Sequence, residues 1–166
     1  MRARPATADD AAAFGAVIAA VAAEGRWIAT EPPVDISERA ANVRNWVDRG
    51  GGIFVLEDDD GRVVGTLGLH PTGVRGVVSL GMCIVADARG RGGGRMLMDT
   101  AMAWLADSDM HKVELEVWPD NERAIGLYER YGFEVEGTRR DHYRRSDGSV
   151  RSSVIMARLL TGERGT

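Results

Sequence analysis

The sequence predicts a single α/β domain with a mixed central sheet of about seven strands and four helices. The chain has 166 residues, of which 44% are hydrophobic, and this is enough for one sizeable core. β-prone runs alternate with runs that carry apolar residues at helical spacing. Because no repeat or linker-like segment divides the chain, we expect one domain over residues 1–160 and a frayed tail at 161–166.

The N-terminal region is predicted to contain a strand and two helices, at residues 1–6, about 8–24 and about 37–49. Thr7 provides a capping hydroxyl for the first helix, and Asp9 and Asp10 place acids in its first turn. These acids argue against a signal peptide, and the apolar run is shorter than the roughly 20 residues that span a bilayer. Between the helices, residues 25–35 are expected to form a fixed loop because Pro32-Pro33 cannot continue a helix.

Three strands are predicted in the middle of the chain, at Ile53 to Glu57, Arg62 to Leu69 and Val77 to Val85. The turn Asp58-Asp59-Asp60-Gly61 favours antiparallel pairing of the first two. A helix follows at about Met96 to Leu105, and then a strand with alternating apolar residues at Lys112 to Val117. Strand, helix and strand in this order predict a right-handed crossover.

The C-terminal region is predicted to hold one helix and the last two strands. The helix covers Asn121 to Tyr131, with Asn121 as its capping side chain and Gly132 available for a left-handed C-terminal cap. The closing strands are expected at about Glu134 to Tyr143 and Val150 to Leu159. The sequence thus accounts for seven strands and four helices.

Composition and charge exclude several functions. A net charge of −4 and a sequence pI near 5.4 provide no basic surface for a nucleic-acid backbone. Cys83 is the only cysteine, which rules out an intrachain disulfide and fits a reducing cytoplasm. The histidines stand singly and no zinc spacing occurs, so we predict no metal, and we expect neither nucleic-acid nor membrane partners.

A glycine-rich segment lies between the strand ending near Val85 and the helix beginning near Gly94. It consists of Arg89, Gly90, Arg91, Gly92, Gly93, Gly94 and Arg95. Glycines permit positive φ, and a following helix adds unpaired N–H groups, so the segment suits a pyrophosphate. It lacks the Lys-Ser/Thr of a Walker loop and the last glycine of a dinucleotide-binding turn. From its glycines alone, a solvated flexible loop is an equal alternative.

Two motifs resemble those of the GNAT family of N-acetyltransferases. Arg89, Gly92 and Gly94 match its [RQ]xxGx[GA] signature, and the segment from Asn121 to Phe133 is similar to its second signature, N-x-x-A-x-x-L-Y-x-x-x-G-F. The predicted order of elements agrees over essentially the whole chain. The resemblance implies a GNAT fold whose sheet is splayed at the cofactor-binding strand. It also implies an enzyme that transfers an acetyl group from acetyl-CoA to an amine by direct attack in a ternary complex.

The resemblance also implies roles for individual residues. Backbone amides from Arg89 to Arg95 would hold the CoA pyrophosphate. The pantetheine arm would pair with the strand residues Met82, Cys83, Ile84 and Val85. Asn121 would orient the cofactor arm, although a helix cap explains it equally well. Tyr128 would protonate the leaving thiolate, and its alternative role is a place in the apolar stripe of the helix.

The amine needs a general base, and the candidates are Glu31, His70, Glu114 and Glu116, with Glu31 ranked first as a catalytic residue. Cys83 is not expected to carry the acyl group, because no motif places an activating group beside it. The acceptor is expected to be a small-molecule or peptide amine. Similar enzymes often have an acid in the last hairpin where this chain has Ser152 and Ser153.

Two other functions remain compatible with the sequence. A non-catalytic acyl-CoA sensor would keep the cofactor loop, but the retained Tyr128 counts against it. An interaction protein on the same fold would leave the loop signature unexplained. The resemblance also implies that a homodimer is common among such proteins.

Overall fold

A computed structural model describes residues 1–160, and the tail predicted at 161–166 lies outside that range. The strands are β1 (Arg2–Pro5), β2 (Ile53–Glu57), β3 (Val63–Pro71), β4 (Val77–Ile84), β5 (Lys112–Val117), β6 (Glu134–Arg144) and β7 (Val150–Leu159). They form one seven-stranded sheet in the order β1-β2-β3-β4-β5-β7-β6. Adjacent strands are antiparallel except for β4 and β5, which are parallel. The mixed sheet predicted from the sequence is confirmed.

Four α-helices cover the sheet, at α1 (Ala11–Ala23), α2 (Ile36–Asp48), α3 (Gly93–Ala106) and α4 (Glu122–Arg130). Successive residues of β2 point to opposite faces, as the strand period of two requires. Ile53 and Val55 pack with Phe14 of α1 and Val43 of α2, while Phe54 and Leu56 join the larger core with Leu97 of α3. Helices therefore lie on both faces. None of them, within the described part of the chain, is long and apolar enough to cross a membrane.

The parallel strands β4 and β5 separate partway along their length. They pair only where Val77–Ser79 meets Lys112–Glu114. Beyond that point the rest of β4, residues 80–84, pairs with β3, and the rest of β5, residues 115–117, pairs with β7. The sheet is therefore splayed at β4, as predicted. The gap leaves one edge of β4 without a neighbouring strand.

Candidate active site

The separation of β4 from β5 opens a cleft of about 1350 Å³. Of the residues that the sequence assigns to the cofactor, most line this cleft: Met82, Cys83, Ile84, Arg89, Gly90, Gly92, Gly93, Gly94, Arg95, Asn121 and Tyr128. Val85 and Arg91 are not among its lining residues. Within residues 1–160, no group of three or more His, Cys, Asp or Glu side chains is placed to hold a metal ion.

The glycine-rich loop presents a row of backbone donors to the cleft. Gly90 and Gly92 have φ of +82° and +84°, a conformation that side chains rarely adopt. Across residues 1–160, no backbone carbonyl accepts a hydrogen bond from the N–H groups of residues 90–94. These groups converge at the N-terminus of α3, where the helix dipole adds positive potential. The loop has the geometry of an anion-binding nest.

The last two glycines of the loop are required for close packing. A Cβ at Gly93 would collide with the side chain of Leu56, and a Cβ at Gly94 would lie 3.1 Å from Leu127 Cδ2. The loop therefore rests directly on the core. This contact fixes the direction in which its N–H groups point.

The Arg89 side chain faces the protein and not the anion nest. Its Nε donates to the carbonyl of Ile84 at 2.8 Å, and its two Nη atoms contact the carboxylate of Glu24 at 2.8 and 2.6 Å. The Glu24 carboxylate also accepts from Nε1 of Trp27. Arg89 therefore joins the end of β4 to the end of α1 and holds the start of the loop.

The N-terminus of α4 approaches the same loop. Asn121 is its N-cap, with Oδ1 accepting from the Ala124 N–H at 3.3 Å. Asn121 also lines the cleft. Arg123 was missed in the sequence analysis: a Cβ at Gly90 would be 3.5 Å from its guanidinium. Its position in the first turn after Asn121 could have indicated a cation beside the loop.

Tyr128 occupies the floor of the cleft. Its side chain is 6% exposed and its ring packs against Phe133. No group within residues 1–160 makes a hydrogen bond with its hydroxyl. Burial, and secondarily the neighbouring Cys83, raise the pKa of Tyr128 above its ordinary value. The phenol is therefore a neutral proton donor throughout the physiological range.

Cys83, on β4, lies beside Tyr128 of α4. Burial raises the pKa of its thiol to about 11. A neutral thiol is a poor nucleophile, because the thiolate is the reactive form. The geometry therefore supplies no activation for an acyl-cysteine intermediate.

Glu31 does not line the cleft, although its neighbours Trp27, Ile28, Ala29 and Thr30 do. Its carboxylate accepts from Oγ of Ser146 at 2.8 Å and from the Ser146 N–H, in the turn between β6 and β7. Arg145, which is nearly buried, donates to the carbonyl of Ala29 and fixes the loop in this position. The hydrogen bonds from Ser146 lower the pKa of Glu31. Glu31 and Tyr128 are therefore not brought together.

Two other base candidates line the cleft, Glu116 on β5 and His70 on β3. Glu116 lies just beyond the point where β4 and β5 separate. Its Oε2 accepts from Ser153 Oγ at 2.7 Å and from the Tyr143 hydroxyl at 2.9 Å, and Arg139 contacts Oε1 at 2.7 Å. Burial, and secondly the charge of Arg39, lower the pKa of His70. The His70 ring packs edge-on against Trp46. Glu114 is not a lining residue.

Comparisons with known proteins agree with this geometry. A family model described as the acetyltransferase (GNAT) family matches residues 21–133. The L-amino acid N-acetyltransferase AaaT of Escherichia coli is 34% identical over 117 residues, covering 68% of this chain and 71% of that protein. A mycothiol acetyltransferase of Geodermatophilus obscurus is 34% identical over 116 residues, but these cover 66% of this chain and only 35% of that longer protein.

Solved structures share the fold. The acetyltransferase yncA from Salmonella typhimurium, solved with its cofactor acetyl-CoA, superposes with a TM-score of 0.88 at 20% identity. The alignment covers 100% of this chain and 97% of that one. At this identity the similarity establishes the fold alone.

Proposed function

Because this chain belongs to the GNAT acetyltransferase family, we propose that it is an N-acetyltransferase that uses acetyl-CoA to acetylate a primary amine by direct attack. The observation that carries the proposal is the row of free N–H groups at residues 90–94, opening into the same cleft as Tyr128 and Glu116. One end of this cleft suits a pyrophosphate, and the other offers a proton donor and a carboxylate. The acetyl-CoA cofactor named for the yncA structure supports the choice of donor.

The residues at the anion end fit the phosphates of coenzyme A. The N–H groups of the loop would donate to the pyrophosphate, and the guanidinium of Arg123 adds a mobile positive charge beside Gly90. The unpaired edge of β4, residues 80–84, would accept the pantetheine arm as an additional strand. Binding along this path would direct the thioester toward Tyr128.

The acceptor amine enters from the face covered by α1 and α2. An ammonium must lose a proton before it attacks the thioester carbonyl. Of the candidates, Glu116 combines a place in the cleft with a carboxylate fixed by Ser153, Tyr143 and Arg139. Glu116 would take the proton, directly or through one water, while the nitrogen lone pair forms the new C–N bond.

The nitrogen of the tetrahedral centre then loses its second proton to water, the centre collapses to the amide, and the C–S bond breaks. Tyr128 would donate its proton to the sulfur as that bond breaks, and its phenoxide would regain a proton from solvent. The raised pKa of Tyr128 keeps that proton in place until the sulfur carries charge. Because Cys83 is a neutral thiol, a single transfer in a ternary complex explains the site better than an acyl-enzyme.

A panel of amines incubated with acetyl-CoA tests the proposal when free thiol is followed. We expect thiol release that depends on both the enzyme and an amine. No thiol release with any amine, together with tight acetyl-CoA binding by calorimetry, would favour a non-catalytic acyl-CoA sensor instead.

A further inference from the structure

One face of α2 lines the acceptor side of the cleft. Arg39, Asn42 and Trp46 follow one another at spacings of three and four residues, which places them on a single helical stripe. Arg44 belongs to the opposite, exposed surface and does not line the cleft. The first residue of this stripe, Arg39, carries a positive charge that the proposed mechanism does not use.

Among the cleft-lining arginines that form no salt bridge within residues 1–160, Arg39 is half-buried, whereas Arg49, Arg95, Arg123 and Arg130 are exposed. Arg89 is paired with Glu24, and Arg139 with Glu116. Within residues 1–160, Arg39 forms no salt bridge, and its one side-chain hydrogen bond is to Thr30 Oγ1 at 3.2 Å. A guanidinium has five N–H donors in a planar fork. A half-buried Arg39 therefore retains donors for an anion that residues 1–160 do not provide.

The charge of Arg39 acts on the floor of the cleft. Arg39 lines the cleft together with His70 of β3 and Cys83 of β4, and after burial its charge is the second cause of the lowered pKa of His70. His70 pairs with Ser79, the last residue of β4 that is also paired with β5. Glu116 stands two residues beyond Glu114, the β5 partner of Ser79. The cation and the carboxylate thus line the same cleft, with Glu116 just beyond the point where the strands separate.

A purely cationic acceptor would be repelled by an unpaired guanidinium at this position. We infer that the acceptor is a zwitterion whose amine faces Glu116 and whose carboxylate is bound by Arg39, as in a free amino acid or a close analogue. The inference rests on the proposed function, since it names the acceptor class of that site. It disfavours polyamines, which lack an anion, and peptide N-termini, whose neighbouring carboxyl is an amide.

Matched acceptors and matched variants test this inference. The acceptors are the L-amino acids, their C-terminal amides and the corresponding decarboxylated amines. Arg39→Gln removes the charge, Arg39→Lys keeps the charge without the fork, and Arg44→Gln removes a charge from the opposite surface of α2. Thermal unfolding confirms that each variant is folded.

We expect the wild-type protein to prefer amino acids over their amides and amines. Arg39→Gln should raise the KM for the preferred amino acid about tenfold or more, while the KM for acetyl-CoA and for an amide stays unchanged. Arg39→Lys should recover part of the loss, and Arg44→Gln should match the wild type. Equal use of amino acids and their amides, or an unchanged preference in Arg39→Gln, would overturn the inference while leaving N-acetylation in place.

Calorimetry separates this inference from the proposed function. The amino acids are titrated into the protein saturated with CoA, which needs no turnover. Should no amine be acetylated, the proposed function fails. Amino-acid binding that is lost in Arg39→Gln would still support the carboxylate site, and no amino-acid binding to the wild type would reject it.

Discussion

Ser153 donates a hydrogen bond from Oγ to Oε2 of Glu116 over 2.7 Å, across the antiparallel pair β5 and β7. Ser153 is fully buried, so its hydroxyl has a fixed position. With Tyr143 and Arg139 it fixes the carboxylate of Glu116 at the opening between β4 and β5. In this chain, the serine of the last hairpin therefore orients an acid on the adjacent strand.

The first prediction concerns the general base. Glu116→Gln should lower kcat/KM by roughly 10²- to 10⁴-fold and flatten the acidic limb of its pH profile, because an amide cannot take the proton. Acetyl-CoA affinity should be unchanged. The matched control is Glu31→Gln. This variant removes another candidate carboxylate, one that lies outside the cleft.

Glu31→Gln should leave the pH profile of kcat/KM as it is in the wild type. The two variants are compared from pH 5 to pH 9 with one good acceptor. A lost acidic limb in Glu31→Gln, with an intact limb in Glu116→Gln, would reverse the assignment.

The second prediction concerns the general acid. Tyr128→Phe should reduce kcat by roughly 10²- to 10⁴-fold while acetyl-CoA affinity stays within about twofold. The ring contact with Phe133 survives the change, and the hydroxyl has no hydrogen bond to another described residue, so the free energy of unfolding should change little. Because the pKa of Tyr128 is raised, the wild-type kcat should persist above pH 10, the ordinary pKa of a tyrosine.

Presteady-state thiol release and chemical denaturation measure these quantities for Tyr128→Phe. A kcat within about twofold of wild type, equivalent to less than about 0.5 kcal/mol in the barrier, would leave Tyr128 with a packing role only.

The third prediction concerns the phosphate nest. Gly92→Asp should weaken acetyl-CoA binding by about tenfold or more, because it places a carboxylate where the pyrophosphate would bind. The control is Gly73→Asp, which has a similar φ of +85° and equally open surroundings but lies outside the cleft.

Both glycine variants should lose a similar amount of stability, because each forces a side chain into a strained backbone conformation. The melting temperature of Gly73→Asp therefore shows how much of the loss in Gly92→Asp comes from strain. Calorimetric titration with acetyl-CoA then reports the charge effect alone. Equal affinity in the two variants would remove the loop from the cofactor site.

The fourth prediction concerns Cys83. With a pKa of about 11, about one thiol in a thousand is ionised at pH 8. Cys83→Ala should therefore retain kcat within about threefold, and intact-protein mass spectrometry should find no acetylated enzyme during turnover. An acetyl group on Cys83, together with an inactive alanine variant, would establish a two-step mechanism instead.

Elements whose signals are local could be predicted from the sequence. The positive φ of Gly92 and the capping of α4 by Asn121 follow from residue type and spacing, and both are observed. Strand β5 has the bounds that apolar alternation predicts, and strand β7 also has its predicted bounds. Such features are determined by residues that are close in the sequence, so they can be predicted from the sequence alone.

The choice among acids and cations could not be predicted, because it depends on contacts between distant segments. Arg145 lies more than a hundred residues along the chain from the loop that carries Glu31, and it holds that loop in place. The Glu31 carboxylate is thereby directed toward Ser146. The proximity of Arg123 to the glycine-rich loop likewise exists only after α4 packs against that loop. The sequence ranked Glu31, in its proline-containing loop, ahead of Glu116, and only the tertiary structure shows that Glu116 lines the cleft and Glu31 does not.

The central claim is that acetyl transfer to nitrogen occurs in the cleft between β4 and β5. Its most direct test is mass spectrometry of the acceptor, with free thiol counted in the same reaction. We predict one N-acetylated amine for each thiol released by the wild type, and neither product from a folded double variant Glu116→Gln/Tyr128→Phe that still binds acetyl-CoA. Equal product from the double variant, or thiol release without an acetylated amine, would contradict the account.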